Sequence, residues 1–273
     1  MQPIQLIAMD MDGTLLNGEQ AISAGNRRAL LDATARGIHI VFCSGRLHDD
    51  VSCFAAEAGL PDCHMLSLNG ACRAMKPHGA LYDSRVLSRD ALDRTLAVLD
   101  DTNATYACFQ PRRVLIVNGR HPTKASNWGG HQQSADGLEY LLGRDALAKH
   151  IDEGICKIVY IEETDPLQLE AVRERLASVS GLDVTSSWSN NLELMPAGVN
   201  KGEALRDLTE RLGLQAAQVM ALGDYDNDLG MIRYAGVGVA MGNASENVRK
   251  AADHVTLTNN DDGVAAAIRR FAL

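Results

Sequence analysis

The stretch IAMDMDGTLLN, residues 7–17, ends an apolar run with two aspartates, Asp10 and Asp12, and then turns at Gly13. The apolar residues 4–9 predict a buried strand, so both acids stand at or just past its carboxyl end. In an open parallel sheet, the carboxyl ends of the strands line the ligand crevice. The two acids therefore belong either to a plain strand-end turn or to a binding site. The rest of the chain helps to decide between these two alternatives.

Length, charge and composition narrow the class of protein. The 273 residues are enough for one large or two modest domains with a sizeable core, and the net charge of −9 disfavours sequence-independent binding to nucleic acid or to anionic membranes. No apolar run approaches the ~20 residues of a membrane helix, and no basic segment followed by an apolar one precedes the first strand. These features predict a cytoplasmic protein that acts on small molecules. The six cysteines lack C-x-x-C spacing, which predicts buried free thiols.

Apolar strands alternate with amphipathic helices near both ends of the chain, a pattern typical of a mainly parallel sheet in an α/β fold. Strands are predicted at 4–9, 38–43, 64–68, 218–223, 236–240 and 254–257. Helices are predicted to end at Gly37, Gly59 and Gly213, and to begin at Lys201, Asn227 and Ser245.

The residues between these two runs follow a different pattern and predict an inserted α/β domain. Strands are predicted at 104–110, 112–119, 155–163 and 182–187. A helix is predicted at Pro166, with Asp165 as its N-cap and Gln168 completing a capping box. The polar stretch 121–143 predicts mostly loop with one short helix. We therefore expect a core of residues 1–82 and 189–273 and an inserted cap of residues 83–188.

Polar residues follow the predicted strands of the two outer runs. Ser44-Gly45-Arg46 follows the second strand, Asn69-Gly70 follows the third, and the run GDYDND, residues 223–228, follows a later one. Lys201 begins a helix between them. Carboxylates, a hydroxyl and an ammonium at neighbouring strand ends suit a phosphate together with Mg²⁺, because Mg²⁺ binds carboxylate and phosphate oxygens at once.

The ordered set Asp-x-Asp-Gly-Thr-Leu-Leu, Ser-Gly-Arg, Lys-Gly and Gly-Asp-x-x-Asn-Asp resembles the haloacid dehalogenase superfamily of phosphohydrolases. Within it, LELMPAGVNKGEAL, residues 192–205, resembles the Cof-type branch, whose α/β cap is inserted into a Rossmann-like core. The resemblance implies a Mg²⁺-dependent phosphomonoester hydrolase that acts through an aspartyl-phosphate on a sugar phosphate, a nucleotide or a cofactor phosphate. A phosphomutase on the same core is one alternative, and a non-catalytic phosphate-binding module is another.

The resemblance also implies roles for individual residues. Asp10 attacks phosphorus, and Asp12 protonates the leaving oxygen and later activates water while its side chain is held away from the metal. Mg²⁺ is bound by Asp10, the backbone carbonyl of Asp12, and Asp224, with Asp228 in support. Ser44 and Lys201 complete the catalytic set. Phosphate contacts are implied for Met11, Ser44, Gly45, Lys201 and Asn227.

Some of these residues also have a structural alternative. Ser44 suits an N-cap. Lys201 suits a solvated position at the start of a helix that Asn200 is predicted to cap, with Glu203 at the third helical position. Arg46 suits either a surface ion pair or a contact with the cap. Asn69 suits either a plain turn or a place on the rim of the site.

Overall fold

The computed structural model describes residues 2–102, 105–118, 138–162, 165–186 and 189–273. The chain forms two compact units, the first made of Met1–Asp83 and Asn200–Leu273 and the second of Ser84–Val199. Each unit pairs a sheet with helices, which confirms the predicted α/β class. Among the described residues, no helix is long and apolar enough to cross a lipid bilayer.

The elements are numbered in chain order over the described residues. The strands are β1 (Leu6–Met9), β2 (His39–Cys43), β3 (His64–Ser67), β4 (Cys72–Ala74), β5 (Leu81–Ser84), β6 (Tyr106–Phe109), β7 (Val114–Asn118), β8 (Leu138–Leu142), β9 (Lys157–Ile161), β10 (Leu182–Thr185), β11 (Asn191–Pro196), β12 (Val219–Gly223), β13 (Val237–Ala240) and β14 (His254–Val255). The helices are α1 (Ala24–Ala35), α2 (His48–Ala58), α3 (Arg89–Asp100), α4 (Gly143–Leu147), α5 (Pro166–Ala177), α6 (Lys201–Arg211), α7 (Leu229–Tyr234), α8 (Glu246–Ala251) and α9 (Gly263–Phe271).

The sheet of the first unit has the strand order β14-β13-β12-β1-β2-β3-β4-β5. Strands β14 through β3 pair in parallel, and β4 runs antiparallel to β3. Strand β1 lies in the middle, with Leu6 opposite both His39 of β2 and Val219 of β12. All four residues of β1 are buried, as expected for a central parallel strand that is covered on both faces. The carboxyl ends of β1, β2, β3 and β12 consequently share one edge.

Helices bury both faces of this sheet. On one face, Leu30 of α1 and Ile268 of α9 belong to the same core cluster as Ile7 and Met9 of β1. On the other face, residues of α6 such as Leu205 join the cluster that contains Leu6 and Ala8. Alternate residues of β1 thus pack against the helix layers on opposite faces of the sheet.

The sheet of the second unit has the order β10-β11-β9-β6-β7-β8. Its pairs are antiparallel except β7 with β8, which is parallel. One face packs on α3 and α5, where Leu96 and Val172 join Ile158 and Leu192 of the sheet in one cluster. Sequence periodicity had not predicted α3, which begins after the N-cap Ser88.

A domain boundary and one strand of the second unit differ from the sequence-based expectation. Strand β11 pairs with β9 and β10, and the structure therefore places residues 189–199 in the second unit, whereas the sequence had assigned them to the core. Within the stretch expected to be mostly loop, residues 121–137 lie outside the described residues, and 138–142 form β8. Pairing with the distant β7 stabilises that strand, and a local pattern does not reveal such a partner.

The predicted N-cap of α5 is confirmed, but the capping box is only half formed. Asp165 Oδ1 accepts hydrogen bonds from the backbone amides of Leu167 at 3.0 Å and Gln168 at 3.2 Å. The Gln168 side chain instead donates to the Tyr160 hydroxyl at 3.3 Å, and the Asp165 amide donates to Glu162. The cysteines are free, as predicted, and all are buried except Cys53, which is partly exposed.

Candidate active site

A buried lysine joins two aspartates at the carboxyl edge of the first unit's sheet. Lys201 Nζ donates to Asp10 Oδ1 at 2.5 Å and to Asp228 Oδ1 at 2.7 Å. The side chains of Lys201 and Asp228 are 0% exposed, and Asp10 is 7% exposed. The alternative of a solvated lysine is therefore wrong, and the ammonium links the end of β1 to the turn that follows β12.

The local sequence explains how Lys201 reaches this position. Asn200 caps α6 as predicted, with its Oδ1 accepting from the Glu203 amide at 3.0 Å. A Cβ on Gly202 would lie 2.5 Å from the carbonyl carbon of Gly230. Because neither glycine carries a side chain, the first turns of α6 and α7 approach closely. This contact brings the Lys201 ammonium beside the loop that carries Asp228.

The turn after β1 interlocks with the turn after β12. Asp228 Oδ2 accepts from the backbone amides of Asp224 at 2.9 Å and Tyr225 at 3.2 Å, which holds that turn in shape. The Thr14 hydroxyl donates to Asp224 Oδ1 at 2.8 Å. Gly13 has a φ of +77°, and a Cβ there would lie 2.4 Å from Asp224 Oδ2. Glycine is thus required both for the left-handed turn and for the approach of the Asp224 carboxylate.

Three carboxylates converge at this edge in a way that fits a hard divalent cation. One carboxylate oxygen from each of Asp10, Asp224 and Asp228 lies within 4.8 Å of the other two, and the Lys201 ammonium offsets part of their charge. Mg²⁺ takes oxygen ligands at about 2.0–2.1 Å in octahedral geometry, so opposite ligands stand about 4 Å apart. Both oxygens of Asp228 already accept hydrogen bonds from the protein, which suits it to supporting the other two.

Burial and mutual repulsion shift the pKa values of this cluster. Burial raises the pKa of Asp10 well above its usual value, with Asp228, Asp224 and Asp12 adding to the rise and Lys201 opposing it. Burial and then Asp228 raise the pKa of Asp224 to about 7, against the Thr14 hydrogen bond and Lys201. Burial alone would lower the pKa of Lys201, but Asp10 and Asp228 outweigh it and hold that pKa above its usual value. A bound cation would return both acids to their ionised forms.

Asp12 is paired differently from Asp10. Arg46 Nε donates to Asp12 Oδ2 at 2.8 Å, and Arg46 Nη2 donates to Asp12 Oδ1 at 2.6 Å. Arg46 Nη2 also donates to Gln20 Oε1 at 2.7 Å, and the guanidinium lies 5.2 Å from the centre of the Phe54 ring. The Arg46 side chain is 4% exposed and that of Asp12 is 47% exposed. Arg46 is therefore a buried partner of Asp12 and not the surface pair considered from the sequence.

Ser44 and Asn69 form the neighbouring part of the edge. Ser44 is buried, and its Oγ accepts from the Arg46 amide at 3.2 Å. Helix α2 begins only at His48, with Leu47 as its N-cap, so Ser44 is not the cap of that helix. The Asn69 amide donates to the Ser44 carbonyl at 2.8 Å, which ties the ends of β2 and β3 together.

Asn69 and Asn227 meet across the edge. Asn227 Nδ2 donates to Asn69 Oδ1 at 3.4 Å. Leu68, Asn69 and Gly70 all have positive φ, so they form a strained turn. This turn also places the Asn69 side chain at the rim of the site, where it contacts Asn227. Met11 packs its side chain in the core, which leaves only its backbone for a phosphate contact.

Sequence reasoning missed two polar residues of this edge: Thr14, which donates to Asp224, and Gln20, which accepts from Arg46. Thr14 stands inside the Asp-x-Asp-Gly-Thr motif, so its hydroxyl was visible in the sequence, but no role was assigned to it. Gln20 carried no signal, because its partner Arg46 is distant in the chain and only the folded turn brings the two together.

The chain is similar to known hydrolases and phosphatases over almost its whole length. Residues 7–268 match the haloacid dehalogenase-like hydrolase family. The chain is 33% identical over 270 residues to the 5-amino-6-(5-phospho-D-ribitylamino)uracil phosphatase YcsE of Bacillus subtilis (strain 168), covering 99% of this chain and 96% of that protein. It is 31% identical over 286 residues to the phosphatase YwpJ of the same organism, covering 98% and 100%. A solved haloacid dehalogenase-like hydrolase of B. subtilis superposes with a TM-score of 0.85 at 30% identity, covering 97% of this chain and 99% of that one.

Proposed function

Since the chain belongs to the haloacid dehalogenase-like hydrolases and is a phosphatase of that family, we propose that it hydrolyses a small phosphomonoester with Asp10 as nucleophile and Mg²⁺ as cofactor. The observation that carries the proposal is the buried Lys201 ammonium, which hydrogen bonds to both Asp10 and Asp228 beside Asp224. Buried charges are costly unless they are paired, and a cation held among acids at a strand edge suits a dianionic phosphate.

Hydrolysis proceeds in two steps on the residues of this edge. A carboxylate oxygen of Asp10 attacks phosphorus, the bond from phosphorus to the leaving oxygen breaks, and Asp12 gives that oxygen its proton. Water then attacks the phosphorus of the aspartyl-phosphate while Asp12 takes its proton. The bond from phosphorus to the Asp10 oxygen breaks, and inorganic phosphate leaves with both acids restored.

The remaining residues neutralise and position the phosphoryl group. Lys201 offsets charge on the phosphoryl oxygens and on Asp10, and the Ser44 hydroxyl, the Gly45 amide and the Asn227 side chain donate hydrogen bonds to those oxygens. Mg²⁺ held by Asp10, the Asp12 carbonyl and Asp224 would supply charge neutralisation between nucleophile and phosphate. Asp228 holds Lys201 and the turn of Asp224 in place.

The printed names of the relatives support a choice of candidate substrates. Because a relative of 33% identity is named a 5-amino-6-(5-phospho-D-ribitylamino)uracil phosphatase, that compound is the first candidate. Sugar phosphates, nucleotides and cofactor phosphates, which the family resemblance implies, are the next candidates. We also propose that the first unit carries the chemistry and that the second unit selects the leaving group.

A phosphate-release assay over a panel of these esters tests the proposed function. We expect release of inorganic phosphate by the wild-type protein, loss of release in excess chelator, recovery with Mg²⁺, and no release by Asp10→Asn. Turnover in chelator equal to that with Mg²⁺ would contradict the role of the metal. Conversion of a sugar phosphate to its isomer without phosphate release would favour the mutase, and binding without either product would favour the non-catalytic module.

A further inference from the structure

We infer that Arg46, braced by Gln20, is the positioning residue that sets the orientation of the Asp12 carboxylate for proton transfer. The inference rests on the proposed function, because it assigns Asp12 to proton transfer. It goes further because it names the residue that orients the Asp12 carboxylate, which neither the sequence motifs nor the cluster around Lys201 identifies.

The geometry of the pair is specific. The guanidinium offers two parallel N–H groups to the two Asp12 oxygens, at 2.8 and 2.6 Å. Such a bidentate fork fixes both the position and the plane of a carboxylate, whereas a lysine ammonium would act as a point charge. Arg46 therefore controls the direction in which the Asp12 oxygens face, in addition to neutralising them.

Arg46 is itself held rigidly. Its side chain is 4% exposed, lies against the Phe54 ring and donates to Gln20 Oε1. Gln20 stands in a tight turn, where its amide donates to the Asn17 carbonyl at 2.9 Å and its φ is 59°. A non-glycine residue in the left-handed region requires support from its surroundings. The turn thus fixes the direction from which the Gln20 side chain approaches the Arg46 guanidinium.

The pairing leaves Asp12 able to react. Each carboxylate oxygen has two lone pairs, and Arg46 engages one on each oxygen. The Asp12 side chain is 47% exposed while its partner is buried, so its outer side faces solvent. The open outer side leaves the Asp12 oxygens accessible to a leaving oxygen and then to water.

Loss of this orientation has a consequence that general damage to the fold would not produce. An alkyl leaving group needs its proton in the transition state, whereas an aryl leaving group of low pKa needs it far less. Misplacing the proton donor should therefore slow alkyl esters more than aryl esters. A fall in the amount of folded protein, or in phosphate binding, would slow both equally.

The test compares glycerol phosphate with 4-nitrophenyl phosphate on matched variants. We expect Arg46→Met to lower kcat/KM for the alkyl ester by about 10²-fold and for the aryl ester by about 10-fold or less. Arg46→Lys, which keeps the charge without the fork, should recover only part of the alkyl rate. Arg27→Met is the matched control, because Arg27 Nε donates to the Ala58 carbonyl at the other end of α2. It should leave the ratio of the two rates unchanged.

Equal losses on both esters for Arg46→Met would overturn the inference, as would full recovery of the alkyl rate by Arg46→Lys, which would leave charge alone as the cause. If Arg46→Met fails to fold, Gln20→Ala should shift the ratio in the same direction by a smaller factor, and an unchanged ratio would contradict the inference.

A structural measurement separates this inference from the proposed function. Crystal structures of the wild-type protein and Arg46→Met should show the Asp12 side chain in different rotamers, whether or not either ester is turned over. An unmoved Asp12 would overturn the positioning role even in an active enzyme. Absence of phosphate release by the wild-type protein would instead overturn the proposed function.

Discussion

Lys201 Nζ lies 2.5 Å from Asp10 Oδ1, with neither side chain more than 10% exposed. This pair joins the first residue after β1 to the first residue of α6, across most of the chain's length. A buried ion pair of this kind is weak evidence for stability, because desolvation offsets much of the attraction. Its position among further carboxylates is more readily explained by chemistry on an anionic substrate.

Replacing Lys201 tests this interpretation. Lys201→Met leaves Asp10 and Asp228 without their shared cation, and we expect turnover to fall at least about 10²-fold and the free energy of unfolding to fall by about 3–5 kcal/mol. Kinetics and urea titration measure the two effects. Lys250→Met, which removes an exposed pair with Glu246, should change both little. Wild-type turnover in Lys201→Met would exclude a catalytic role for the lysine.

Gly202 offers a test of how the fold places that lysine. Gly202→Ala would set a methyl group 2.5 Å from the Gly230 carbonyl carbon, so α6 must move away from α7. We expect a loss of about 1–3 kcal/mol in stability, together with reduced turnover. Gly37→Ala, at a left-handed position with nothing within 4 Å of the new Cβ, should cost about 1 kcal/mol while activity is retained. Full activity in Gly202→Ala would show that this contact does not position Lys201.

Two histidines of the sheet predict a pH dependence of stability. His64 Nε2 lies 3.2 Å from His39 Nδ1, and burial followed by repulsion from His39 lowers the pKa of His64 below 6.5. The unfolded chain therefore binds a proton at a higher pH than the folded one. Stability is full above the unfolded pKa and is lost as pH falls through 6.5 toward the folded value.

Thermal melts at several pH values check this dependence. Between about pH 7.5 and pH 5.5 the wild-type protein should lose more stability than His64→Gln, which cannot be protonated in this range. If the two proteins lost stability in parallel, acid sensitivity would have to come from other groups.

The core of the site could be predicted because its residues stand at strand ends. Parallel pairing forces the carboxyl ends of neighbouring strands to one edge, so Asp10, Ser44 and Asp224 had to lie near one another once those strands were recognised. The helix start at Lys201 could be predicted equally well, because Asn200 and Glu203 mark a capped first turn.

The remaining features of the site and of the fold depended on contacts that local sequence does not encode. The bidentate pair of Asp12 with Arg46 depends on how a turn and a loop meet, and Gln20 reaches that pair only through its turn. Strand β11 was missed because Asn191 and Glu193 interrupt its apolar run, and because its partners, β9 and β10, lie in the inserted unit. Residues 138–142 become a strand only through β7.

The central claim, that Asp10 forms the covalent intermediate and Asp12 moves the protons, is tested most directly by intact-mass measurement after rapid quench with an aryl phosphate. Asp12→Asn should turn over about 10²- to 10⁴-fold more slowly and accumulate a phosphate adduct, because the aryl group leaves without its proton while water has lost its base. Asp10→Asn should carry no adduct, because the attacking oxygen is gone. A phosphate adduct on Asp10→Asn, or undiminished turnover of alkyl and aryl esters by Asp12→Asn, would contradict the account.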